Sequence, residues 1–228
     1  MAGRLHITSL SLDGLLPRLA VDQPLNTSPN LAPRRPLSII RLEQGRPKLV
    51  DAFWGLTPPW LKVLDHASHC ARVESLEERA MFREAFAARR CLIPVSGVYV
   101  WKALPRWKQP FLVTRVDRGP MLLGALWVRF HTTLTAYTDS TALITMPANP
   151  LLAPLTDRFP AVIDPSYAEA WLDPETPLEQ VRDHLLPAPL ELLGAFPVSR
   201  RVNDPSCQDW ACAYPTGNMA RWQSEQEK

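Results

Sequence analysis

The stretch Cys91–Trp127, CLIPVSGVYVWKALPRWKQPFLVTRVDRGPMLLGALW, decides the fold class. Within it, Cys91–Val95, Val98–Trp101, Phe111–Val116 and Met121–Trp127 are short runs rich in branched and aromatic residues, the composition of strands. Thr141–Met146 repeats the pattern downstream. Upstream, Leu37–Leu42 and Leu49–Leu56 flank Glu-Gln-Gly-Arg-Pro and read as a β-hairpin with a longer turn. Helical signals are few. Ser75 with Glu78 matches a capping box, and Leu76–Ala88 sets Met81, Phe82, Ala85 and Phe86 on one face. Ser166–Trp171 and Leu178–Leu186 read as two further short helices. Residues 24–36, PLNTSPNLAPRRP, read as a loop that excludes helix and strand. Strands outnumber helices, which predicts an α+β fold: one domain with a mainly antiparallel, curled or barrel-like sheet and peripheral helices.

Composition bounds the function classes. The 228 residues are 46% hydrophobic and 21% charged, ordinary for a globular chain with a sizeable core. No apolar run is long enough to span a membrane and no leader pattern opens the chain, so a cytoplasmic protein without membrane contact is expected. The four cysteines form no C-x-x-C pair and none sits near a histidine at zinc-finger spacing, so neither metal nor cofactor is expected. A net charge of +2 barely favours nucleic acid. Twenty of the 25 basic residues are arginines, whose flat fork suits phosphates and bases, although codon usage in a GC-rich genome gives the same excess. Twenty-four prolines against nine glycines point to rigid turns rather than long helices.

Eight short motifs in order from Met1 to Asn203 resemble the SRAP family, the SOS-response-associated peptidases or abasic-site processing proteins. Met1-Ala2-Gly3-Arg4 resembles the family's Met-Cys-Gly-Arg opening, and Asn30-Leu31-Ala32-Pro33 its Asn-x-Ala-Pro loop. Phe53-Trp54-Gly55-Leu56 with Pro58 and Trp60 resembles its W-G-L-x-P-x-W segment, and Ala71-Arg72-x-Glu74 the end of Asn-Ala-Arg-x-Glu. Gly97–Lys102 resembles Gly-x-Tyr/Phe-Glu-Trp-Lys, with Gln109-Pro110-Phe111 placed after it as in the family, and Gly124–Trp127 resembles A-G-L-W. Thr156–Pro160 resembles His-Asp-Arg-Met-Pro, and Pro197–Ser199 with Val202-Asn203 the closing P-V-S-x-x-V-N.

The resemblance implies the family's fold and binding to single-stranded DNA that carries an abasic site. It also implies a covalent capture. Once the initiator Met is removed, the family's cysteine attacks the open sugar aldehyde with its α-amine, and its thiol closes the imine into a thiazolidine. An α-amine with pKa about 8 is a workable nucleophile. The family's Glu and His move the protons. This chain departs at each of those positions: Ala2 replaces the Cys, Val100 the Glu and Thr156 the His, while Cys70 replaces the Asn of Asn-Ala-Arg. Alanine offers the amine alone, valine moves no proton, and threonine has no useful pKa. The crosslink and the thiol autopeptidase activity are therefore expected to be absent.

The resemblance leaves Asn30 as a retained site residue, and Arg4, Trp60, Cys70, Arg72 and Arg158 as DNA-facing positions. Bland readings stand beside these. Trp54, Trp101 and Trp127 are expected in the core, whereas Trp60 follows two prolines in a loop and is expected to stack on bases. Arg72 is either a phosphate contact, as its place in the motif favours, or a partner of Glu74 or another acid. Arg34-Arg35, Arg89-Arg90 and Arg200-Arg201 read as solvated charges, Asp157 as a turn former, and the five histidines as structural or surface residues. A Cys70 thiol facing the pocket could add to an imine on Ala2, but the ring would be large and entropically poor. Three functions stay open: a non-covalent abasic-site binder, a Schiff-base lyase using the Ala2 amine, and an interaction scaffold that has abandoned DNA. A monomer is expected, spanning residues 1–228 as one unit with 215–228 as a tail.

Overall fold

The computed structural model describes residues 3–63, 66–131, 133 and 135–222. Ala2, the position that replaces the family cysteine, lies outside them. Among the described residues thirteen strands form two sheets. The strands are β1 Leu5–Ile7, β2 Ser28–Leu31, β3 Pro36–Glu43, β4 Arg46–Trp54, β5 Cys70–Arg72, β6 Arg90–Val95 and β7 Gly97–Ala103. After them come β8 Lys108–Arg115, β9 Met121–His131, β10 Tyr137–Pro147, β11 Arg158–Pro160, β12 Leu193–Pro197 and β13 Ala220–Arg221. The helices are α1 Arg83–Ala88, α2 Ala168–Leu172 and α3 Leu178–Asp183.

One sheet runs β13-β12-β8-β7-β1-β2; the other runs β11-β10-β4-β3-β6-β9, with β5 on β10. Strand β9 pairs again with β10, so β10, β4, β3, β6 and β9 close into a ring, the barrel-like sheet expected. Most pairings are antiparallel, but β10 runs parallel to β4 and to β5, so the sheet is mixed. The strands of the ring read as unbroken apolar runs because both of their faces are covered. Ile39, Ile93 and Leu143 pack against Leu5, Val98 and Val113 of the other sheet. Their neighbours Ile40, Leu92 and Ile144 pack instead with Phe86, Trp171 and Val181 of the three helices. On its far face the six-stranded sheet buries Tyr99, Leu112 and Phe196 under Val202 and Cys212.

The structure corrects four expectations. The Pro-rich segment 24–36 contains a strand, β2, hydrogen-bonded to β1. Pro29 is tolerated because β2 is the sheet's edge and has no outer neighbour to receive an N–H. The helix predicted over Leu76–Ala88 is regular only from Arg83, because Ser75 Oγ turns back to donate to the Arg72 carbonyl at 3.3 Å and caps nothing. Phe82, Ala85 and Phe86 still reach the core, so tertiary burial fixes the segment without a full helix. Arg90, read as a solvated charge, is fully buried: Nε donates to the Trp171 carbonyl at 2.7 Å and Nη1 to those of Phe86 and Ala87. Its Nη2 donates to the carbonyl of Asp173. Finally, residues 215–222, expected in a tail, are tied down, with Pro215 bridged to Val198 and β13 paired on β12.

Candidate functional site

An open cleft of about 700 Å³ lies where the end of β7 meets the loop Ala153–Asp157 and the turn that ends at Asn203. Its lining includes Arg4, Val100, Trp101, Lys102, Lys108, Thr156, Asp157 and Asn203. Val100 and Thr156, expected from their motifs to stand in for family residues, are far apart in sequence and share this cleft. Val100 comes from β7, whose side chains alternate across the sheet, and its body packs in the core between the sheets. Thr156 donates from Oγ1 to the Arg158 carbonyl at 3.0 Å, which ties the loop to β11.

Arg4 forms the cleft's charged floor. It precedes β1 and is nearly buried, with Nη1 donating to Asn30 Oδ1 at 2.8 Å and to the Val202 carbonyl at 2.7 Å. Its Nε is buried and has no partner among the described residues. Burial lowers its pKa from the usual arginine value, yet so strong a base stays charged. The guanidinium lies 5.8 Å from the Trp101 ring centre, and Trp101 Nε1 donates to Asn203 Oδ1 at 2.7 Å. Trp101, expected in the core, is therefore only half-buried and forms a wall of the cleft; Trp54 is fully buried as expected. Trp127 is also half-buried, beneath Arg41, whose guanidinium stands 4.6 Å from its ring.

Asn30, expected as a retained site residue, stands behind Arg4 and outside the cleft lining. It is fully buried, and Nδ2 donates to the carbonyls of Val202, Asp204 and Cys207 at 3.3, 2.9 and 3.1 Å. It reaches the cleft only through Arg4, so its place in the fold is to position that guanidinium. The remaining candidates stand outside the cleft lining. Trp60 is 56% exposed at a turn, as a stacking residue must be. Cys70 and Arg72 sit on β5, in register with Leu143 and Thr145 of β10. Burial pushes the Cys70 thiol up to about 12, so its nucleophilic thiolate is scarce near neutral pH.

Arg158 crosses β10 to reach Glu74, with Nη1 and Nη2 donating to its two carboxylate oxygens at 2.9 and 2.8 Å. Nη2 also donates to the Thr145 carbonyl at 2.6 Å. Glu74 thus belongs to Arg158, not to Arg72, which is exposed and makes no ion pair among the described residues. The Arg158 hydrogen bonds hold the Glu74 carboxyl below its ordinary range. A carboxyl depressed by folding contributes stability above its unfolded pKa, and that contribution fades as pH falls through the folded value. The Glu74 side chain is 52% exposed, so the contribution is screened to under about 1 kcal/mol. Glu74→Gln is expected to lower stability by less than that at pH 7 and to flatten the acid limb of a denaturation-versus-pH curve. Equal acid sensitivity in both proteins would count against the pair.

Trp101, Lys102, Lys108 and Asn203 were not singled out as site residues from the sequence. Three of them lie inside the quoted motifs, Gly97–Lys102 and Val202-Asn203, which was the available signal.

Fold and site together define a mixed-sheet barrel protein with an open, arginine-floored, tryptophan-walled cleft. The family model for SOS response associated peptidase (SRAP) matches residues 1–205, and the chain belongs to that family. It is 28% identical over 214 residues to the abasic site processing protein YoqW of Bacillus subtilis (strain 168), covering 90% of this chain and 95% of that one. It is 26% identical over 178 residues to the abasic site processing protein YedK of Escherichia coli (strain K12), covering 77% and 78%. A solved protein from Bacteroides thetaiotaomicron superposes with a TM-score of 0.76 at 20% identity, over 84% of this chain and 87% of the other. One from Bordetella bronchiseptica does so with a TM-score of 0.73 at 23% identity, over 86% and 99%. These two likenesses concern the fold alone. No described helix is long and apolar enough to cross a membrane.

Proposed function

We propose that this chain binds single-stranded DNA at abasic sites, in the response to DNA damage, without forming its family's thiazolidine crosslink. The relatives named above are abasic site processing proteins, which supports DNA as the partner. The observation that carries the non-covalent reading is the cleft lining. Val100 and Thr156 occupy it at the positions of the family's proton-transfer groups, and neither can move a proton. The binding character persists: Arg4, Lys102 and Lys108 face a single acid, Asp157, among the described lining residues, and Trp101 offers a ring. Exposed Trp60 and Arg72, which makes no ion pair among the described residues, are offered for a base and a phosphate. The protein is read as a cytoplasmic monomer that needs no cofactor.

One observation favours a second reading. Asp157 brings a carboxylate into the cleft, a proton acceptor for β-elimination through an imine on the Ala2 amine. Incubation with single-stranded DNA carrying one abasic site, with and without borohydride, separates the readings on a denaturing gel. The expected result is no adduct in either lane, with binding that weakens steeply as salt rises. An adduct only with borohydride selects the lyase. An adduct without borohydride overturns the proposal, and failure to bind at low salt selects the scaffold.

The Arg158–Glu74 pair adds a second prediction. Glu74→Gln releases a guanidinium for phosphate, so affinity for single-stranded DNA rises at low salt and the salt slope steepens by about 0.7. An unchanged slope would mean that Arg158 does not meet the DNA.

A further inference from the structure

The β7–β8 hairpin extends beyond the cleft and carries chemistry that the cleft itself does not use. Its tip is a tight turn, closed by the Leu104 N–H donating to the Trp107 carbonyl at 2.8 Å. Trp107 is 46% exposed there, although a tryptophan indole gains more than most side chains from burial. Arg106 and Lys108 flank it in the chain and are exposed too, while Lys102 and Lys108 also line the cleft. Across the groove, the Arg200 guanidinium stands 5.7 Å from the Trp107 ring centre. Arg106, Lys102, Lys108 and Arg200 form no salt bridge among the described residues, whereas neighbouring Arg201 pairs with Asp209 at 3.2 Å. An exposed indole with Arg200 against its ring and Arg106 and Lys108 as its chain neighbours thus lies next to the strand ends that bring Lys102 and Lys108 to the cleft.

We propose that the β7–β8 hairpin is an exit track for the DNA strand. One base of the flanking strand stacks on Trp107, and Lys108, Arg106 and Arg200 hold the phosphates on either side. The inference rests on the reading of the cleft as a single-stranded DNA site. It adds an occupant for a surface outside that cleft. An indole face accepts any base and lysine or arginine any phosphate, so the track lengthens the bound strand without adding sequence preference. Lys102 and Lys108 belong to both cleft and hairpin, and Lys108 adjoins Trp107 in the chain, so a strand leaving the cleft passes cations on its way to the indole.

The test uses fluorescence anisotropy with fluorescein-labelled oligothymidylates of increasing length at low salt, on the full chain. For the parent, affinity rises with length until cleft and track are both filled. Trp107→Ala is expected to bind the shortest oligomers as the parent does and to lose roughly five- to hundredfold on the longer ones, so its length curve levels off earlier. Trp107→Phe, which keeps a stacking face, recovers most of the loss. Arg200→Ala and Lys108→Ala each reduce the salt slope on long oligomers by about 0.7 and leave it unchanged on the shortest ones for Arg200→Ala. Trp107 is solvent-facing, and circular dichroism on each variant separates misfolding from lost contact. If Trp107→Ala matches the parent at every length while Trp101→Ala, in the cleft wall, weakens binding, the track is overturned and the cleft reading stands. If the parent binds no length, the cleft reading falls and the track with it.

Discussion

A variant carrying Ala2→Cys, Val100→Glu and Thr156→His, prepared with residue 2 as its first residue, is expected to form a stable adduct with abasic single-stranded DNA where the parent is expected to form none. The expected gain follows from what the parent lacks. Ala2→Cys alone restores an amine and a thiol on adjacent carbons, the arrangement a five-membered ring needs, and should crosslink slowly. Val100 and Thr156 already line one cleft, so their replacements bring a carboxyl and an imidazole back to the same space. Positioned acid–base groups speed such steps by about 10²–10⁴-fold, the expected ratio of the triple variant to the single one. Val100 is almost fully buried, so the longer glutamate must turn its carboxyl into the cleft, and circular dichroism must show a retained fold. Gel-resolved adduct formation over time supplies the rates. A folded triple variant that crosslinks no faster than Ala2→Cys would show that losses elsewhere, beginning with Cys70, disabled the site as well.

Arg90→Ala is expected to be the most damaging single truncation outside the cleft. Arg90 donates to the carbonyls of Phe86 and Ala87 in the last turn of α1, and to those of Trp171 and Asp173 at the end of α2. One guanidinium thus caps two helix ends and places its charge where both dipoles favour a cation. Truncation takes the guanidinium from four carbonyls; that of Asp173 keeps the Thr176 N–H at 3.2 Å, while those of the buried Phe86 and Trp171 lose a charged donor. With charged hydrogen bonds worth about 1.5–3 kcal/mol each, and not additive, the loss is on the order of 4 kcal/mol. For a chain of this size that corresponds to a fall in Tm of about 10 °C. Arg90→Met keeps most of the volume and none of the donors, and it should cost nearly as much. Arg90→Lys should recover little, since a single ammonium cannot reach carbonyls on two helices. Urea denaturation of the three variants decides the matter. A methionine variant as stable as the parent would mean that Arg90 serves packing alone.

The strands were legible because local composition carries the signal. Cys91–Val95, Val98–Trp101 and Thr141–Met146 fall inside β6, β7 and β10. Edges were less legible: Pro29 argued against a strand, and only the position of β2 at the margin of its sheet removes the objection. The start of α1 was misplaced because Ser75, a good cap by residue type, spends its hydroxyl on the preceding turn. For the site, motif order drew attention to Arg4, Val100 and Thr156, which the fold gathers in one cleft, but residue type alone says nothing of what supports them. Asn30 was assigned to the site and lies beneath it. Arg158 was expected to be free for phosphate and is held by Glu74.

The sequence by itself determined the family, the α+β class, most strand positions and the absence of thiol, carboxyl and imidazole at three motif positions. Each of those is a property of residue identity and order, which a chain carries before it folds. Only the tertiary structure decided which arginines are free. Arg4, Arg90 and Arg158 are spent on Asn30, on helix ends and on Glu74, whereas Arg72 and Arg200 stay exposed. Such commitments depend on distances of about 3 Å between groups remote in the chain, and a guanidinium looks the same in sequence whether a carboxylate or water will meet it.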